Sequence, residues 1–120
     1  MSKDTVVIGA SPSEEKYGYK ATVSLKRHGH KVYPIGIKEG KIEGQEIITD
    51  RPLIQNVDTV TLYVGAQNQD GWKDYIFSLK PKRVVFNPGT ENEVFEAEVR
   101  AKGIEAVEAC TLVMLSIGNY

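Results

Sequence analysis

A β-branched run that stops on a glycine constrains this chain most: Thr5-Val6-Val7-Ile8, followed by Gly9-Ala10-Ser11. An unbroken apolar run of this kind reads as a strand buried on both faces, which a helix-covered parallel sheet provides. Gly9 permits a sharp turn after the strand and close approach of a ligand. The backbone donors beyond it, the Ser11 hydroxyl and the N-terminus of the next helix together suit a pyrophosphate. The full dinucleotide glycine triplet is absent, because the next glycine after Gly9 is Gly18. An ordinary strand-to-helix turn accounts for the same residues equally well.

The rest of the chain alternates in the same manner. Residues 17–28 read as a helix with Ala21, Leu25 and His28 on one face, a basic end at Lys26-Arg27-His28, and Gly29 as its stop. Residues 31–37 form a second strand, whose ladder should thin at Pro34. Residues 39–48, with Gly40 and Gly44, read as a small surface hairpin, and Asp50-Arg51-Pro52 opens a short helix or turn. A third strand at 59–64 leads to a helix at 67–79 ended by Pro81, on which Trp72 and Tyr75 are packing residues. A fourth strand at 83–86 precedes a helix capped by Thr90 and Glu93 and closed by Gly103. A fifth strand at 104–107 and a last helix at 111–117 complete the series. The expected fold class is α/β: a Rossmann-like three-layer αβα sandwich on a five-stranded parallel sheet with right-handed crossovers, one domain over residues 1–120.

In such sheets a ligand lies at the carboxyl ends of the strands, where strand order reverses. The segments to search are therefore Gly9-Ala10-Ser11, Gly36-Ile37-Lys38, Val64-Gly65-Ala66, Asn87-Pro88-Gly89 and Glu108-Ala109-Cys110. At the end of the second strand a nicotinamide-adenine site needs a carboxylate for the free ribose hydroxyls. This chain places Lys38 there, with no carboxylate before Glu39. A cation suits a ribose that carries a phosphate, as in coenzyme A or NADP, although a lone loop lysine is most often simply solvated. Lys20, near the start of the first helix, faces the same choice. Asn87 either hydrogen-bonds a ligand or holds the Pro88-Gly89 turn. Cys110 stands at the start of the last helix, where a thiol's pKa falls, yet its neighbours Ala109, Leu112 and Val113 are apolar.

Composition narrows the classes. Fifteen basic and 16 acidic residues leave a net charge of −1, with no basic stripe for nucleic acid. No apolar run approaches the roughly 18 residues of a membrane span, and no signal-peptide pattern opens the chain. One cysteine excludes an internal disulfide and fits a reducing cytoplasm. His28 and His30 do not make a zinc site, so no metal is expected, and no catalytic residue is assigned.

Four stretches carry a family resemblance: Val7-Ile8-Gly9-Ala10-Ser11; Lys31-Val32-Tyr33-Pro34-Ile35; the run from Lys80 through Asn87-Pro88-Gly89 to Asn92; and Glu108-Ala109-Cys110-Thr111-Leu112-Val113. In these the chain resembles the coenzyme A-binding domain proteins, small Rossmann-like bacterial proteins related to the nucleotide domain of the succinyl-CoA synthetase α subunit. The resemblance implies that Gly9, Ala10 and Ser11 meet the pyrophosphate, and that Lys38 meets the phosphorylated ribose. It further implies that Val64 and Gly65 line the adenine or pantetheine path, and that Asn87, Pro88 and Gly89 line the far side of the pocket. Members often carry Asn-Pro where this chain has Gly36-Ile37, and an arginine or proline where it has Gly65-Ala66. The synthetase's catalytic histidine lies in another domain, so ligase activity is not implied. The expectation is a cytoplasmic, non-catalytic module for coenzyme A or an acyl-CoA. Alternatives are an NADP-binding sensor or reductase-like domain, acyl transfer through Cys110, and an interaction module. A homodimer or a protein partner stays open, with residues 116–120 packed on the domain or against that partner.

Overall fold

In the computed structural model, which describes residues 2–120, five strands lie side by side in one parallel sheet. They enter in the chain order β1 (Thr5–Ile8), α1 (Tyr17–Arg27), β2 (Val32–Ile35), β3 (Lys41–Ile42), β4 (Gln45–Glu46), β5 (Thr59–Leu62), α2 (Lys73–Ser78), β6 (Arg83–Phe86), α3 (Glu93–Ala101), β7 (Glu105–Glu108) and α4 (Thr111–Ile117). The order across the sheet is β2-β1-β5-β6-β7, so the direction of winding reverses between β1 and β5. The Rossmann-like α/β expectation holds. Each central strand is buried along its length because helices cover both faces. One face packs Val6, Ile8, Val60, Leu62 and Phe86 with Ile76 of α2 and Phe95 and Val99 of α3. The other packs Val7 and Val32 with Leu25 of α1 and Leu115 of α4.

Local chemistry explains most boundaries. In α1, Gly18, Ala21, Thr22 and Leu25 are buried, basic residues fill the last turn, and Gly29 (φ +83°) stops the helix. His28 does not share the buried face. It is exposed, with Nδ1 at 2.7 Å from Ser24 O of the preceding turn. The hairpin forms as β3 and β4, turning through Glu43 and Gly44, both at positive φ. Pro34 sits in the edge strand β2, where a missing donor is harmless, and its carbonyl accepts from Ile48 N (2.8 Å), which continues that edge.

Three local expectations need correction. The segment at 50–52 forms no helix. Arg51 instead lies over Trp72 (3.6 Å to the ring centroid) and donates to Gly71 O, while the Tyr75 hydroxyl donates to Pro52 O. The helix expected over 67–79 begins as two short 3₁₀ turns, Ala66–Asn68 and Asp70–Trp72, and only then becomes α2. The cap of α3 is Asn92, whose Oδ1 accepts from Phe95 N while its own amide donates to Glu96. Thr90 is unavailable for that task because its hydroxyl donates to Asn87 O.

At the open side of β7, Arg100 Nη2 donates to Ala106 O (3.1 Å). Near the amino end of the sheet, Tyr120 packs back on the domain, its hydroxyl 2.6 Å from Thr5 Oγ1 and its ring edge-on to His30.

His30 Nδ1 accepts from Lys3 N (2.9 Å). Partial burial, with the Lys3 charge adding to it, lowers the His30 pKa below its ordinary value of 6.5. The folded state thus prefers the neutral ring. Its contribution is complete above about pH 6.5 and is lost as pH falls through the lower folded value. Thermal melts should therefore show stability falling as pH drops below about 6.5, with a shallower slope in His30→Gln. Equal slopes would remove His30 from that pH dependence.

Candidate functional site

The site forms where the strand order reverses, because three glycines let backbones meet there. Gly9 has φ +101°, and a Cβ on it would stand 2.9 Å from the main chain of Tyr63 just beyond β5. A Cβ on Gly18 would stand 2.3 Å from Gly9 O, and one on Gly36 would stand 2.3 Å from Ala10 O. Real side chains do not tolerate such distances, so α1 and the exit of β2 lie directly against the exit of β1. Gly18 thus takes the helix–strand packing role of the missing glycine triplet, from beyond a longer loop than that motif uses.

Above this junction opens a cleft of about 740 Å³, a volume ordinary for small-molecule sites. Its wall includes Gly9, Ala10, Ser11, Gly36, Lys38, Val64, Gly65, Pro88 and Gly89, nine of the residues singled out in the sequence. Lys20, Asn87 and Cys110 are not among the described residues that line it. The Lys20 ammonium lies over the Tyr17 ring (5.0 Å). Cys110 is the N-cap residue of α4 and half-buried.

The polar groups of the cleft are distributed unevenly. The amides of Gly9 and Ala10 both donate to Ile35 O (2.9 and 3.0 Å), so these two donors are spent on the sheet. Ser11 Oγ accepts from Ser13 N (3.2 Å). The first turn of α1 has no side-chain cap and no acidic residue, and Lys16, Tyr17 and Gly18 of that turn line the cleft. An uncapped helix start with a lysine beside it favours an anion through its amides and dipole. Lys38 and the exposed Ile37 flank the same end. Across the cleft stand Val64, Trp72, Pro88 and Thr90.

Two buried amides hold that far wall. Asn87 Nδ2 donates to Thr61 Oγ1 (2.6 Å) and Leu62 O (2.8 Å), and its Oδ1 accepts from Thr111 N (2.9 Å), so it binds β5 and β6 to α4. Gln69 Nε2 donates to Val64 O (2.9 Å) and Thr90 O (2.8 Å), and its Oε1 accepts from Asn92 Nδ2 (3.0 Å). No sequence motif marked Gln69; its setting inside a polar stretch, Gln67-Asn68-Gln69-Asp70, disguised it as surface. Tyr63 also lines the cleft while its hydroxyl is buried without a hydrogen-bond partner. Burial first, and the nearby Cys110 second, push that phenol well above its usual range.

Among the described residues, no group of three or more side chains could hold a metal ion, and no helix is long and apolar enough to cross a membrane.

An open parallel sheet, covered on both faces and with a cleft at its reversal point, defines a Rossmann-like α/β domain. The chain belongs to the CoA binding domain family, whose sequence pattern matches residues 3–116. A crystal structure of an uncharacterized protein shares 52% identity over 100% of this chain and 99% of that one, with a TM-score of 0.98. A hypothetical protein from Pyrococcus horikoshii OT3 is 22% identical over 92% of this chain and 79% of its own, with a TM-score of 0.82. Cell-free ID.343 from Thermus thermophilus is 19% identical over 98% and 91%, with a TM-score of 0.84. The last two speak for the fold alone. No curated protein matches the chain.

The Gln69 network predicts a stability effect. Gln69→Leu leaves Val64 O, Thr90 O and Asn92 Nδ2 without their partner and should lower the unfolding free energy by about 2–4 kcal/mol in urea titration. An unchanged midpoint and slope would show that the amide is dispensable.

Proposed function

We propose that residues 1–120 act as one module that binds coenzyme A or an acyl-CoA in this cleft without transforming it. The uncapped start of α1 carries the reading, because it opens into the same cleft as Lys16 and Lys38 in a chain of the CoA binding domain family. The pyrophosphate would sit on the first-turn amides of α1 beside Lys16. The phosphorylated ribose would meet Lys38, and the adenine would cover the exposed Ile37. The pantetheine arm would cross the β1–β5 junction toward Val64 and Gly65. Among the described residues, the cleft wall holds no carboxylate, histidine or thiol. Cys110 lies outside that wall.

Calorimetric titration with coenzyme A, dephospho-CoA and NADP tests the reading. Coenzyme A should bind in the micromolar range and dephospho-CoA more weakly. Lys38→Ala should weaken coenzyme A by roughly tenfold, as expected for a charge-assisted contact, and leave dephospho-CoA nearly unchanged. Equal losses for both ligands would remove Lys38 from the phosphate. Tighter binding of NADP would favour the reductase-like alternative, and no binding of any of the three would favour a protein–protein role.

A further inference from the structure

The cleft is electrically polarised, and this polarity bears on the acyl group that a bound thioester would carry; the inference rests on the coenzyme A reading above. One end is positive, with Lys16, Lys38 and the start of α1. At the other end the described wall residues, Val64, Trp72, Pro88, Gly89 and Thr90, carry no charge. One main-chain donor on that rim is answered by an acidic side chain: Gly89 N donates to Glu91 Oε1 (2.8 Å). An anion arriving there meets a carboxylate in possession of the amide it would need.

Further carboxyls reinforce this sign. Glu96 is buried, and its Oε2 accepts from Asn92 N (2.9 Å). Glu108 stands at the carboxyl end of β7. The neighbouring Glu96 carboxyl first, and Glu91 more weakly, raise the Glu108 pKa. Arg51 lies over the Trp72 ring (3.6 Å), Lys73 pairs with Asp70 and Glu98, and the third cation is Arg100. It lies 3.8 Å from Glu96 Oε1, but its Nη2 donates to Ala106 O on the open side of β7. At the Gly89 amide itself, the charge in contact is the Glu91 carboxylate.

We propose that Glu91 makes this end of the cleft select acyl groups without negative charge, so that a neutral thioester binds better than one ending in a carboxylate. The discrimination is one of like-charge repulsion at a water-exposed rim, so it is modest and salt-sensitive.

Butyryl-CoA and succinyl-CoA give an isosteric test, since a carboxylate replaces the terminal methyl at equal carbon count. Calorimetric titration of the whole chain with coenzyme A and both thioesters should show succinyl-CoA about fivefold weaker than butyryl-CoA at low salt. Glu91→Gln keeps an oxygen for the Gly89 amide and removes the charge, so it should close most of that gap and leave coenzyme A unchanged. Binding of coenzyme A with equal affinity for the two thioesters, or a gap that Glu91→Gln does not alter, would overturn the selectivity and spare the coenzyme A reading. Failure of coenzyme A itself to bind would overturn both.

Discussion

Four backbones converge where the sheet reverses its winding, and the rest of the molecule is arranged around that crowding. The exit of β1 lies against Tyr63, against the first turn of α1 and against the exit of β2, at distances that only glycine permits. Because α1 is drawn down onto Gly9, its uncapped first turn faces the gap between β1 and β5 instead of solvent beyond the sheet. Because Gly36 lies on Ala10, the chain leaving β2 carries Lys38 to the edge of the same gap. The cleft follows from steric permission at three positions and owes little to any special side chain at its base.

The opposite wall is built by a different device. Beyond Tyr63, the loops after β5 and β6 are held by two buried primary amides. Each has more than one donor or acceptor engaged, so each fixes a geometry rather than a single contact. Asn87 spans β5, β6 and α4, while Gln69 ties the β5 exit to Thr90 and to the cap of α3. A rigid glycine-packed wall faces one whose shape depends on hydrogen bonds.

The sheet is legible because its signal is local: Thr5–Ile8 and the Val84-Val85-Phe86 part of β6 are β-branched or aromatic, and they stop on Gly9 and Asn87. Five strand positions and the location of the cleft follow from that pattern with strand-exit rules. What escaped depends on partners distant in sequence. The region 66–72 reads as helix by composition, but Gln69 is drawn inward by Val64, Thr90 and Asn92, and the chain tightens into 3₁₀ turns around it. Thr90 has the residue type of a cap, yet the Asn87 carbonyl engages its hydroxyl and Asn92 takes the position. Sequence alone leaves the turn-holding and ligand-facing roles of Asn87 equal; its side chain lies inside the protein, bound to β5 and α4. Gly18 was visible as the wrong spacing for a known triplet, whereas its close packing needed coordinates.

The edges of the sheet have a consequence for how the protein behaves in company. At one margin, Ile48 bonds to Pro34 and Gly36 and so occupies the outer rim of β2. At the other, Arg100 takes the Ala106 carbonyl that β7 turns outward. A parallel sheet of short strands would otherwise offer templates on two sides for another chain to add itself by main-chain pairing. A loop thus covers part of the β2 margin and an arginine occupies one carbonyl of the β7 margin, so an added strand would have to displace contacts of the protein's own at either side.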